Sequence, residues 1–214
     1  MGYLIEGGYI FLVVTLTALA NKKCGLSQTA ARKLIHILIG FVFPIQYFFF
    51  RESPLPLLLI PTVITVALYL IARFRLIPSM VNPDNPYGIF YYALGILVLN
   101  AISVLYPAFF AAEGAAIVCL SLGDGMAALP SLVLRKTHPL FRKKTWEGTL
   151  LCLLAPIGGM LLLGLAFPAL ALPLPIILAA AATATVLELF CGRLDNLAIL
   201  FGVSGLSALL MEVI

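Results

Sequence analysis

The chain has 214 residues, 63% of them hydrophobic and only 10% charged, with a formal net charge of +4. A water-soluble domain of this size needs far more polar surface, so the composition excludes the soluble classes and predicts an integral membrane protein. So small an excess of positive charge also gives no reason to expect nucleic acid as a partner.

Apolar runs of about 20 residues cross a hydrocarbon core of roughly 30 Å. Eight such runs are visible, at 3–20, 30–50, 55–72, 87–106, 109–134, 147–167, 172–190 and 196–213. They predict an all-α polytopic bundle of about eight transmembrane helices, one domain over 1–214, with no repeat or long linker. Interruptions fall where Pro, Gly, Asn and charge cluster, as at Arg51-Glu52-Ser53-Pro54 and Asn82-Pro83-Asp84-Asn85-Pro86. The opening MGYLIEGG has neither the basic region nor the small-residue cleavage site of a signal peptide. Glu6 also stands where a myristoylation motif wants Ser or Thr. Cys24, Cys119, Cys152 and Cys191 show no CxxC spacing and read as small core residues rather than metal ligands or disulfide partners.

Charge placement gives an independent view of the layout. If every run crosses, all Lys and Arg except Arg51 fall in or beside the first, third, fifth and seventh loops. That segregation predicts cytoplasmic odd-numbered loops and both termini on the opposite side. For Lys22, Lys23, Arg73 and Arg75, topology and contact with anionic lipid are sufficient roles. Among the acids, Asp84, Asp124, Glu147, Glu188 and Asp195 lie on or toward the cytoplasmic half. Glu6, Glu52 and Glu212 sit near the other ends, where a solvated carboxylate needs no special role. Glu113 opens the fifth run.

Within that run Asp124 stands between Gly123 and Gly125. A charge near mid-membrane costs on the order of 3 kcal/mol, so such a group pairs with a cation, binds an ion or lines a wet cavity. The glycines allow the backbone to break or turn and a ligand to come close. Downstream, Lys143, Lys144, Thr145 and Gly148 place two ammonium groups, a hydroxyl and a helix start together, which suits phosphate capture. Thr145 also suits a plain N-cap, with Trp146 at the interface. Arg32, Lys33 and His36 share one side of the start of the second helix, against its dipole, and call for an anionic neighbour. Glu188, Asp195 and Asn196 bracket the last cytoplasmic turn. With Asp124, the two acids form an oxygen-donor set suited to Mg²⁺; their alternative roles are a salt bridge to Arg193 and a helix cap.

No P-loop, dinucleotide-binding, zinc-protease or nucleophile-elbow motif is present. The run Asp124 to Ala128 partly matches the D-G-x-x-A-R opening of CDP-alcohol phosphotransferases, but Leu129 replaces the arginine and the later D-x-x-x-D is missing. In contrast, five motifs occur in the right order for another family. They are R-K-x-x-H (Arg32, Lys33, His36), Y-G-x-x-Y-Y (Tyr87, Gly88, Tyr91, Tyr92), G-D-x-x-A (Gly123, Asp124, Ala127), K-x-x-E-G (Lys144, Glu147, Gly148) and E…D-N (Glu188, Asp195, Asn196). From Arg32 onward the sequence resembles the polyprenol, phytol and dolichol kinases, most closely their short phytol-kinase-like branch. It departs at Gly125, where members have Thr or Ala, and at 135–141, which replaces a glycine-rich segment.

The resemblance implies a membrane kinase that moves the γ-phosphoryl group of CTP, or another nucleoside triphosphate, to an isoprenoid or other lipid alcohol. It implies Asp124 as base or orienter of the hydroxyl, with His36 second. Arg32, Lys33, Lys143 and Lys144 would act on phosphates, with Gly123, Gly125, Thr145, Gly148 and Asn196 around the nucleotide. Mg²⁺ would sit with Asp124, Glu188 and Asp195, and Tyr91 and Tyr92 would line the path of the lipid. The alternatives are a CTP-dependent lipid cytidylyltransferase, which releases pyrophosphate, and a non-enzymatic transporter with broken spans.

Overall fold

The computed structural model describes residues 1–23, 25–76, 85–142 and 144–213. Cys24, Lys143 and the Asn82, Pro83 and Asp84 part of the predicted interruption lie outside these residues. The chain forms α1 (Gly2–Lys23), α2 (Gln28–Ile39), α3 (Val42–Phe50), α4 (Pro54–Phe74), α5 (Gly88–Leu105) and α6 (Phe110–Val118). After a π-wound segment at Cys119–Asp124 come the short α7 (Gly125–Ala127) and α8 (Leu129–Val133). Two strands, β1 (Pro139–Phe141) and β2 (Lys144–Thr145), precede α9 (Trp146–Ala166), α10 (Leu174–Phe190) and α11 (Asp195–Val213).

The result is an all-α polytopic membrane bundle. Among the described residues, seven helical stretches are long and apolar enough to cross a bilayer, and α10, at 17 residues, is a shorter apolar helix. These are the eight predicted runs, with α2 and α3 sharing one and α6 to α8 sharing another. The departure from all-α is the small antiparallel β1–β2 pair, which registers Pro139 with Thr145.

Local chemistry sets the boundaries. Ser27 caps α2 by accepting from the Ala30 amide, and Thr145 caps α9 by accepting from Gly148, both at 3.2 Å. Proline opens α4, where its missing N–H is no loss, and recurs within the helices at Pro61 and Pro156. Arg75 ends α4 in the left-handed conformation, with its amide on the Ile71 carbonyl.

The fifth run is the axis of the bundle. Every residue from Phe110 to Ile117 is buried, including Ala111, Ala112, Ala115 and Ala116. Small side chains let the neighbouring helices approach the α6 backbone, which is how helices gain contact where lipid removes the usual hydrophobic drive. Around α6 lie Phe43, Tyr47 and Phe50 of α3, Leu99 of α5, Ile177 and Ala181 of α10, and Ile199, Leu200 and Val203 of α11. Tyr47 stacks edge-on against Phe110 and Phe167.

Two buried acids cross this core. Glu113 accepts a hydrogen bond from Ser103 and is fully buried. Glu6 is fully buried as well, accepting from Gln46 Nε2 at 2.6 Å, so its expected solvated position is incorrect. It lies on the inward side of α1, and proximity to the chain end does not expose it.

If α6 is the axis, an Ala112→Leu variant should lose about 1–3 kcal/mol of stability, the usual cost of overpacking. A thermal denaturation series in detergent, with Leu12→Ala on the exposed side of α1 as control, would show a lowered midpoint for the first variant only.

Candidate functional site

The chemistry-bearing residues gather where α2, the π-wound segment, α9, α10 and the start of α11 meet. A π turn holds one residue more than an α turn and is characteristically found at functional sites. Here it carries Asp124 into the bundle, 5% exposed. The Lys33 ammonium donates to Asp124 Oδ2 at 2.6 Å and to the Asp124 carbonyl at 3.0 Å. His36, one turn on along α2, places Nδ1 3.5 Å from the same Oδ2. The cationic start of α2 thus finds its counter-charge on the axis of the bundle. His36 stands edge-on to Tyr92, ring centroids 4.4 Å apart, and neither His36 Nε2 nor the Tyr92 hydroxyl has a partner among the described residues.

The second ion pair joins Lys144 of β2 to Glu188 of α10. Burial disfavours the Lys144 charge, but the Glu188 carboxylate, its hydrogen bond, and the fields of Asp124 and Asp195 outweigh that and hold the ammonium above its ordinary pKa. The resulting stabilisation is complete below the ordinary lysine pKa and is lost only as pH rises through the higher folded value. Lys144 is therefore charged throughout the neutral range. Glu188 is thus matched with Lys144, and not with Arg193 as the salt-bridge alternative had it.

Two cavities meet at Asp124. The larger, about 320 Å³, runs between α1, α2, α3, α4 and α5 and has mainly apolar walls. Asp124, Lys33, His36, Arg32, Asp195 and Asn196 gather at one end of it, with Tyr92 beside them. The smaller, about 250 Å³, is the more polar of the two and is lined by Lys144, Thr145, Gly148, Glu188 and again Lys33 and Asp124. Lys33, Asp124 and Thr29 belong to both walls.

The remaining candidates fall into place around these chambers. Arg32 reaches the Thr29 hydroxyl at 3.5 Å. Asn196 donates to the Gly88 carbonyl at 2.8 Å, and Asp195 Oδ1 accepts from the Asn196 amide at 2.9 Å. Tyr91 faces neither cavity and packs with Tyr87 and Phe90. Lys143 lies outside the described residues. Glu147 bonds to the amide and ring of His138, fastening the β1 side of the hairpin to α9.

Gly123 and Gly125 correct an expectation. Neither lines either of these two cavities, and the backbone stays helical through both. A Cβ on Gly123 would meet Pro156 at 3.2 Å and the Cys152 carbonyl at 3.3 Å, and one on Gly125 would collide with Ile37. They admit neighbouring helices rather than a ligand. Gly148 is packed as closely, since a Cβ there would strike the Ala127 carbonyl, yet it also lines the smaller cavity.

Sequence reasoning passed over Thr29, Ser131 and Thr149, which line the polar cavity. Thr29 lies one turn before Lys33, and Thr149 one turn after Thr145, so helical spacing from the named residues was the available signal.

Among the described residues no three of His, Cys, Asp and Glu form a metal-holding group. Asp124 and Asp195 do share a cavity, and Asp124 and Glu188 share the other. Carboxylate pairs of this kind suit Mg²⁺, which is commonly held by one or two carboxylates together with water and phosphate oxygens. No protein-family model, no curated protein and no solved structure matches the chain.

A buried ion pair is exposed most clearly by removing one half of it. Lys33→Met should lower stability by about 3 kcal/mol, because the Asp124 carboxylate is then left buried without its cation. Adding Asp124→Leu should restore much of that loss. Equal, additive losses in a double-mutant cycle of melting midpoints would show that the pair is not coupled.

Proposed function

We propose that the chain is an integral membrane kinase of lipid alcohols, transferring the γ-phosphoryl group of a nucleoside triphosphate, CTP by family resemblance, to the alcohol hydroxyl. The observation that carries this reading is the Lys33–Asp124 pair in the wall between a long apolar cavity and a polar one containing Lys144. A reaction between a lipid and a water-soluble nucleotide needs such a boundary, with an acid–base group on it.

Phosphoryl transfer depends mainly on positioning and charge neutralisation. On this reading Lys144 and Lys33 hold phosphate oxygens from the polar side, and Arg32 assists at the mouth. The alcohol lies in the apolar cavity with its hydroxyl toward Asp124 and His36. Its oxygen bonds to the γ-phosphorus, the bond from that phosphorus to the bridging oxygen breaks, and the nucleoside diphosphate leaves. The hydroxyl proton passes to Asp124, or to His36 held by it. Mg²⁺, bound through Asp124 with Asp195 or Glu188, would supply charge neutralisation at the phosphates. The basic odd-numbered loops favour a cytoplasmic site with both termini opposite.

The test is an assay of the purified protein with labelled CTP, ATP, GTP and UTP against farnesol, geranylgeraniol, phytol, undecaprenol and diacylglycerol. The expected products are an alcohol phosphate and a nucleoside diphosphate; pyrophosphate release would identify a cytidylyltransferase instead. Asp124→Asn should lower kcat by about a hundredfold or more. Lys144→Met should act chiefly on the KM for nucleotide, by about tenfold. Near-normal turnover by the Asp124 variant would sink the proposal.

A further inference from the structure

The larger cavity has a second polar end. Far from Asp124, Glu6 of α1 and Gln46 of α3 line it, with Gln46 Nε2 donating to Glu6 Oε1 at 2.6 Å. Asn100 of α5 extends this layer, donating to Gln46 Oε1 at 3.4 Å and to the Leu57 carbonyl of α4 at 3.1 Å. Four helices are therefore tied together at one level. Glu6 Oε2 and Asn100 Oδ1 remain buried without partners among the described residues. Between this layer and Asp124 the walls are apolar, supplied by Ile10, Val14, Ile39, Ile64, Ile89 and Ile96.

The two ends are a definite distance apart. Along α2 and α3 the lining runs from Lys33, which holds Asp124, to Gln46, which at 1.5 Å per residue is about 20 Å. Carbon–carbon bonds near 1.5 Å advance an extended chain roughly 1.25 Å each, so about sixteen bonds span the gap. A longer tail must displace hydrogen-bonded groups that have no water to turn to, which a hydrocarbon does not compensate.

We propose that the Glu6–Gln46–Asn100 layer is a floor that limits tail length, making the cavity a site for single-chain lipid alcohols of bounded length. Glu6 and Gln46 are its specificity-determining residues. This inference rests on the lipid-alcohol reading above, and it concerns binding rather than transfer. It selects alcohols of the farnesol, geranylgeraniol and phytol class over long polyprenols.

The experiment is displacement of radiolabelled geranylgeraniol from the full chain in nanodiscs, without nucleotide. Farnesol, phytol and unlabelled geranylgeraniol should compete, and undecaprenol should be at least about tenfold weaker. Glu6→Leu with Gln46→Leu should bring undecaprenol to within about threefold of geranylgeraniol. Val42→Phe, which adds bulk to the wall just short of the floor, should shift preference toward farnesol. This second variant keeps the test open if the first does not fold.

Undecaprenol displacing as well as geranylgeraniol from the unmodified chain would overturn the floor. So would folded variants that leave the length preference unchanged. Length-dependent binding with no phosphorylated product keeps the floor and rejects the kinase. Phosphorylation at equal rates whatever the tail length does the reverse, and binding of none of the alcohols rejects both.

Discussion

The Lys33–Asp124 ion pair is the constraint around which the rest of the structure is arranged. Opposite charges inside a bundle attract strongly, but only close approach and further hydrogen bonds offset the loss of water. Both conditions are met, since the ammonium also reaches the Asp124 carbonyl. That contact requires α2 to lie almost on the backbone of the axial helix. Gly125 beneath Ile37 and Gly40 against Ser121 remove the atoms that would prevent it. Electrostatics and small-residue packing therefore serve one contact, and neither suffices without the other.

The pair also divides space. On one side lies a chamber built for a hydrocarbon chain, and on the other a polar one presided over by Lys144 and Glu188. The β1–β2 hairpin delivers Lys144 there, and its outer strand is held to α9 by Glu147 and His138. Two solvents, lipid and water, can thus be served by a single acid without mixing.

Much of this was legible in the sequence, and the parts that were not share a cause. Hydropathy located every span because a bilayer makes the same demand on each. The basic start of α2 called for an anion, and Asp124 called for a cation, yet 91 residues separate Lys33 from Asp124 and sequence alone does not join them. Gly123 and Gly125 showed that backbone came close to something; only the fold shows that it is another helix. Glu6 was read by its nearness to the chain end, whereas the better signal was Gln46, a lone amide in the run Phe43-Pro44-Ile45-Gln46-Tyr47-Phe48. Asn100, buried in α5, carried the same message. Polar residues without charge inside apolar helices mark partners as reliably as charged ones do. The hairpin escaped notice because strands of three and two residues have no periodicity to find.

The wide turn at Cys119–Asp124 sets the phase of everything beyond it. A straight α-helix advances about 100° per residue, so trimming one position from that turn would swivel α7 and α8 by roughly that amount about the axis. Asp124 and the Ala127 carbonyl would leave their bearings on α2 and α9 together, although no side chain in contact with either had changed. The protein's tolerance of length variation should be lowest in this stretch, where insertions and deletions act as rotations.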